Sequence, residues 1–384
     1  MHDARAAAVP PGADPPAPDP PTAVPSTGLP PKAVPPAGVH RLLKEFADAG
    51  EFRRLYPHPA PGRLDPVVLR ELLAAADAEG ALGPVLSLCV HLASAVPLLA
   101  AGSRSKTTAA CLEAALRGER LVALAATDEG AGSDLAALTT TVRTRPDGLV
   151  VDGTKRWVTS ATTAGDALVL ARRSPGRHFT NFTWVLVPLD APGVTAEPAD
   201  TELFAGSGVG HLRFSDVRLT TDHLVGRQGR GMAAFAQHIA VERLASAGWA
   251  IDLCRRIIAD TDRRLGSRIV EDTALRRRSG VRQRLAECAV RVAGLHALWT
   301  QLRDRIADER DGTAAALLKA ASGATVDHVL AECARLQGAD GFARGGAQAL
   351  RAEAAIFGIG GGTTEVTLDI VAERLDAVLD GLAP

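Results

Sequence analysis

The sequence predicts a mostly helical α+β protein in which a helical layer is followed by a β domain and then by long helices. Three textures predict it. Helical periodicity runs from residue 39 to about 120, short alternating apolar runs fill about 121 to 226, and long Ala/Leu/Arg segments follow Gly229 and Gly231 almost to the end. The length of 384 residues exceeds the roughly 50 to 200 residues over which one core usually suffices, so two or three subdomains are expected.

Residues 1–38 hold twelve of the 24 prolines, spaced by Ala, Asp, Gly and Thr, which offers too little apolar surface to offset the entropy of ordering. They are expected to form a disordered arm, with a ligand for a proline-binding groove as the alternative. Residues 39–120 read as the helical layer: Leu42, Leu43 and Phe46 share one face, and 67–101 is rich in Ala and Leu with turn residues at Gly80, Gly83 and Pro84. Residues 121–228 read as the β domain. Leu149-Val150-Val151 and 183–187 are its clearest strands, and Asp147-Gly148, Asp152-Gly153 and Pro192-Gly193 read as turns. Residues 229–384 read as the second helical domain, with breaks near Gly266, Gly312 and 338–346.

Composition excludes several function classes. A formal net charge of −1 gives no electrostatic reason to bind nucleic acid or an anionic membrane, and 4% aromatics leaves few platforms for bases. The five cysteines are dispersed and odd in number, against a disulfide frame or a thiolate zinc site, and point to a reducing, cytoplasmic compartment. The most apolar run, 82–101, is interrupted by His91 and Ser94, so no membrane helix is expected, and no secretory leader is legible.

Four constellations carry chemistry. The loop Thr127-Asp128-Glu129-Gly130-Ala131-Gly132-Ser133-Asp134 brings backbone N–H groups and a hydroxyl close to any ligand, although an ordinary turn has the same composition. Lys155-Arg156-Trp157-Val158-Thr159, at a strand end, offers a flat ring with a hydroxyl two residues on, suited to a planar heterocycle or simply to a core. In the helix from about 231 to 265, Phe235, Ile239, Glu242, Ser246, Trp249 and Leu253 form one stripe, which places Glu242 in an apolar seam. A carboxylate there is either paired, with His238 one turn back or a base from elsewhere, or has a raised pKa suited to a general base. Finally, Gly358-Ile359-Gly360-Gly361-Gly362-Thr363-Thr364-Glu365 leads into a last helix, a carbonyl or anion site or a plain flexible loop.

In this order and at these separations, the pieces resemble the acyl-CoA dehydrogenase family. The likeness spans residues 69–375. TDEGAGSDLAAL resembles the family's first flavin loop, VDGTKRWVTSATTAGDALVLAR the following strand pair, LRFSDVRLTTDHLVGRQGRGM the strand and linker into the C-terminal helices, and GIGGGTTEVTLDIVAERL the closing motif beside the thioester. The resemblance implies an N-terminal helical domain, a central β-barrel or sandwich domain and a C-terminal four-helix bundle, in a homodimer or homotetramer with FAD across a subunit interface. It implies removal of an α proton by glutamate and of the β hydrogen as hydride to the flavin, on an acyl-CoA or acyl-carrier-protein substrate, with an electron-accepting flavoprotein as partner. The glutamate that many members carry before the Gly-Thr of the closing motif is Gly361 here. A minority, including the isovaleryl-CoA and long-chain enzymes, place it within Glu-Arg-Leu, as in Glu242-Arg243-Leu244.

By the same resemblance Thr127, Gly132, Ser133, Trp157, Val158 and Thr159 line the flavin, with Thr363 and Glu365 near its pyrophosphate. The Gly361 N–H donates to the thioester carbonyl, and Ser133, Arg243, Gly360 and Gly362 lie along the substrate. Gly360 replaces a bulkier residue of straight-chain enzymes, which implies a wider acyl pocket. Around the distal half of the cofactor the pattern departs: the family arginine falls at Asp262, with Arg263 or Arg264 as the shifted alternative, Leu265 replaces a phenylalanine, the Gln-x-x-Gly-Gly element reads Arg335-Leu336-Gln337-Gly338-Ala339, and Glu129 replaces a proline. The alternative expectation is therefore a non-redox protein of this fold that performs proton transfer or serves as a partner subunit. A scaffold recruiting partners through the proline-rich arm is a more distant one.

Overall fold

A computed structural model describes residues 37–57 and 62–381. The proline-rich arm lies outside these residues except for its last two, which open the first helix. The helical layer comprises α1 (Ala37–Asp48), α2 (Glu51–Leu55), α3 (Pro66–Asp77), α4 (Leu82–Val90), α5 (Val96–Gly102) and α6 (Lys106–Leu116). Local chemistry starts α3: the Asp65 carboxylate accepts from the N–H groups of Val67 and Val68, and Pro66 occupies the first turn, where it has no helical bond to lose. Between α4 and α5 the helix widens into a π turn over His91–Ala95, every residue of which is buried. The resulting segment Leu82–Gly102 is long and apolar enough to cross a membrane by length and composition, contrary to the expectation from its two polar interruptions. Most of it is buried inside the fold, against β1 and the long helix described below.

The β domain is an eight-stranded sheet: β1 (Val122–Ala125), β2 (Thr141–Arg145), β3 (Gly148–Val158), β4 (Asp166–Arg172), β5 (Phe182–Pro188), β6 (Val194–Pro198), β7 (Gly210–Leu219) and β8 (Leu224–Val225). Its order is β6-β7-β3-β2-β4-β5-β8, with β1 parallel to β4. The central strands are apolar on both faces, as buried strands must be. Ala167 and Val169 of β4 and Val185 and Val187 of β5 pack into one apolar cluster, while Leu168, Leu170, Trp184 and Leu186 between them join α5 in another. Asp152 and Gly153, read above as a turn, instead lie inside β3, where the pairing with β7 slips between Val151 and Gly153. Gly153 is required there. It has φ +141°, and an added Cβ would stand 2.6 Å from the Thr140 Cα.

Three long helices follow, α7 (Gly231–Ser267), α8 (Ser279–Glu309) and α9 (Gly312–Gln337), then α10 (Ala347–Ala354), α11 (Thr364–Ala372) and α12 (Leu375–Asp380), with a two-residue-strand hairpin β9 (Ile269–Val270) and β10 (Thr273–Ala274) after α7. Of the breaks expected near Gly266, Gly312 and 338–346, the first falls one residue before the end of α7, the second at the start of α9, and only the third lies wholly between helices. Where a bundle of four was expected, α7, α8 and α9 pack on one another and α10 with α11 completes the layer against α9. One apolar core joins both helical regions, from Leu69, Leu73 and Leu88 to Val241, Leu244, Leu253, Leu330 and Phe357. Burying each such side chain contributes about 1.5 to 3 kcal/mol as an upper bound, so the helices before and after the sheet hold each other in place.

Candidate active site

Glu242 lies on α7 where the π turn and α9 converge. The stripe found in the sequence lines a cavity: Glu242, Ser246 and Trp249 face it from α7, with Leu86, Cys89 and Val90 from α4, Lys319 from α9, and Ile356, Gly360 and Gly361 from the loop before α11. The cavity is narrow, with a volume of about 30 Å³. Glu242 Oε2 accepts a 2.6 Å hydrogen bond from Ser94 Oγ. A π turn inserts an extra residue into a helix and re-aims the side chains that follow, a device frequent at functional sites. Here it delivers a buried hydroxyl to a buried carboxylate. His238 is not the partner considered above. Burial pushes its imidazole down to about 4, with Arg310 adding to the effect, so the ring is neutral near pH 7.

Burial raises the Glu242 carboxyl above its ordinary range, against the Ser94 hydrogen bond and the charges of Lys319 and Arg243. The residue keeps some exposed surface, which opens on the cavity. Gly361 sits beside it with φ +74°, and a Cβ added there would stand 3.5 Å from Glu242 Oε1. A side chain at 361 would thus point at the place where the Glu242 carboxylate already is. Two buried cations hold this loop. Arg243 Nε donates to the Gly361 carbonyl at 2.9 Å, and Lys319 Nζ donates to the Phe357 carbonyl at the end of a 3₁₀ turn. Burial pushes the Lys319 ammonium down to about 8 despite the nearby Glu242 charge.

A second set of expected residues gathers on the β domain. Trp157 is 57% exposed, unlike Trp184 and Trp249, and has a left-handed backbone with φ +54°. Such a conformation costs a non-glycine residue about 1 to 3 kcal/mol and persists only where neighbours enforce it. His211 is one enforcer: its Nδ1 accepts from the Trp157 N–H at 3.2 Å and its ring meets the indole edge-on at 5.5 Å. The strand pairing slips again between Lys155 and Val158, and β3 ends at Val158, so Trp157 and Thr159 are not the simple same-face pair read from their spacing. Beside them the loop with exposed Gly132 and Ser133 is tied down by Asp128, which accepts from the Thr139 and Thr140 N–H groups and at 2.5 Å from Lys155 Nζ, both side chains fully buried. The backbone N–H of Arg156 donates to Thr127. An outward-facing ring in an enforced backbone, flanked by exposed glycine and hydroxyl groups, fits one face of a planar heterocycle.

The residues expected around a distal cofactor half are differently placed. Gln337 is buried, donating to Thr261 Oγ1 and accepting from the Ala347 N–H, so it ties α7 to α10. Arg263 lies on the exposed face of α7, paired with Asp260. Thr363 caps α11 by accepting from the Val366 N–H, and Glu365 is exposed beside a second cavity of about 400 Å³. An added Cβ at Gly362 would stand 3.0 Å from an Arg243 amino group. Sequence reasoning missed Ser94, Lys319, His211 and the Asp128–Lys155 pair. Ser94 and Lys319 did leave a signal, each being a polar residue in an otherwise apolar helical run.

Comparison with known proteins places this geometry in context. Residues 123–217 match the family model described as "Acyl-CoA dehydrogenase, middle domain", and residues 229–376 match "Acyl-CoA dehydrogenase, C-terminal domain". The chain is 28% identical over 311 residues to the acyl-[acyl-carrier-protein] dehydrogenase MbtN of Mycobacterium sp. (strain MCS), covering 79% of this chain and 78% of that one. Its fold is similar to that of acyl-CoA dehydrogenase from Geobacillus kaustophilus, with a TM-score of 0.73 at 21% identity, covering 88% and 98% of the two chains. It is also similar to an FAD complex of PigA, with a TM-score of 0.74 at 18% identity over 89% and 97%.

Proposed function

Because the chain belongs to the acyl-CoA dehydrogenase family, we propose that it oxidises an acyl thioester between Cα and Cβ, with Glu242 as the base that takes the α proton. The observation that carries this reading is the Glu242 carboxylate, whose Oε1 stands where a side chain at Gly361 would reach. One oxygen is held by Ser94, and the other faces the cavity side of the loop. A carboxyl raised by burial is a stronger base once ionised than a solvated one, as proton removal from carbon requires. Arg243 and Lys319 fix the carbonyls of Gly361 and Phe357, so the backbone of this loop is preorganised beside the thioester carbonyl, where the Gly361 N–H would stabilise the enolate that forms as the proton leaves.

Trp157, Thr159, Ser133 and Thr127 would hold FAD by its ring system. When bound, the flavin supplies the two-electron acceptor for the hydrogen leaving Cβ. A homodimer or homotetramer, an electron-accepting flavoprotein partner, a substrate carried on CoA or on a carrier protein, and a division of the chain near residues 120 and 228 belong to the same proposal.

The test is spectroscopic. Purified protein reconstituted with FAD should show a flavin spectrum that bleaches anaerobically when a suitable acyl thioester is added, with an enoyl thioester as product. Protein that stays colourless after incubation with excess FAD would overturn the dehydrogenase reading. A subtler prediction concerns Ser94. Its hydrogen bond favours the ionised carboxylate, so Ser94→Ala should raise the Glu242 carboxyl further and move the acid limb of the pH–rate profile to higher pH. An acid limb unmoved in Ser94→Ala would show that the hydroxyl does not act on the base.

A further inference from the structure

Glu242 and Trp249 lie seven residues apart on α7, two turns along one stripe, so their Cα atoms are separated by about 10 Å along the helix axis. Long side chains on a helix lean toward its N-terminus, which carries the Trp249 indole back toward Glu242 and shortens the gap. The ring is fixed. It is 1% exposed, its Nε1 donates to Asp77 Oδ1 at 3.1 Å, and it packs on the Phe357 ring at 4.7 Å between centroids. Asp77 is itself buried and held by Arg256 through two hydrogen bonds of 2.6 and 3.0 Å. Swinging the indole aside would leave its N–H unpaired and disturb the Asp77–Arg256 ion pair. The cavity therefore has a rigid floor two turns beyond the base.

Its sides are mostly apolar. Leu86 and Val90 of α4 and Ile356 form the apolar walls, and the wall at Gly360 has no side chain: a Cβ added there would crowd Ile356 at 3.2 Å. Ile356 thus fills the place that a side chain at 360 would take, and little room remains between the base and the indole floor. Resting on the dehydrogenase reading above, we infer that the acyl group is compact, and that Trp249 sets the length limit by closing the pocket.

The experiment compares kcat/KM of the FAD-loaded protein for isobutyryl, 2-methylbutyryl and cyclopentanecarbonyl thioesters against octanoyl and dodecanoyl thioesters. A compact group should be preferred over octanoyl by about 10² or more, since each methylene that does not fit a closed apolar pocket discriminates by about tenfold or more. Trp249→Ala should raise kcat/KM for octanoyl at least tenfold while lowering it for isobutyryl. Because that variant leaves Asp77 without its indole partner, Trp249→Phe, which keeps a ring against Phe357, provides a second reading with a smaller shift in the same direction. Equal use of octanoyl by the native protein would overturn the length limit while leaving the dehydrogenase reading intact. A preference unmoved in both Trp249 variants would overturn the role of the indole. Native protein that binds flavin and oxidises no thioester of any length would overturn the dehydrogenase reading, and this inference with it.

Discussion

Glu242→Gln is expected to slow exchange of the α protons of a bound acyl thioester with solvent by about 10² to 10⁴, the usual contribution of a positioned general base. The amide matches the carboxylate in shape and its oxygen still accepts from Ser94, so the cavity and the flavin face should be unaltered. What it loses is the capacity to take a proton. Exchange is read as deuterium incorporation at Cα by mass spectrometry, in parallel with the flavin spectrum. Near-normal exchange in the variant would show that another group removes the proton, and Lys319, a buried amine pushed down to about 8, would become the first alternative to examine.

The largest expected effect on stability lies elsewhere, in the β domain. Asp128→Asn should destabilise the protein by about 3 to 5 kcal/mol, because it strands the fully buried Lys155 ammonium without its counter-charge. Chemical denaturation followed by tryptophan fluorescence measures this, and a loss below about 1 kcal/mol would mean that Lys155 gives up its proton instead. The sign with pH is fixed by the native carboxyl. Burial pushes Asp128 upward, but the Lys155 charge and the hydrogen bonds from Lys155, Thr140 and Thr139 outweigh it and hold the carboxyl below its ordinary value. Its contribution is therefore complete above the unfolded carboxylate range and is lost as pH falls through the native value. The same substitution loosens the loop that carries Gly132 and Ser133, so FAD retention should weaken with stability.

The order of helices, sheet and helices was legible because each texture has its own period, and Gly and Pro punctuate the joins. The Glu242 stripe was legible for the same reason: a helix of 37 residues repeats often enough to show one acidic residue out of place. What was not legible depends on neighbours far away in the chain. Ser94 lies 148 residues before Glu242 and reaches it only because of the π turn, which no local pattern announced. Asp152 and Gly153 have the composition of a turn, and only the pairing of β3 with β7 makes them a bulge. Gln337 showed a family-like position, whereas its hydrogen bonds to Thr261 and Ala347 depend on the packing of α10.

The π turn at His91–Ala95 also has an evolutionary meaning. One residue added within a regular α-helix would rotate everything beyond it by roughly 100°, whereas a π turn takes up the added residue within a single wide turn. An ordinary helix can therefore be converted into this one by a single inserted codon, and converted back by losing it. α4 would keep its apolar face against α3 either way, and only the side chains of the turn itself, Ser94 among them, would change their bearing. The hydroxyl that faces the base would then be the product of a one-residue insertion in a helix whose packing was already settled, a route by which a site already equipped with a carboxylate can be tuned without rebuilding the core around it.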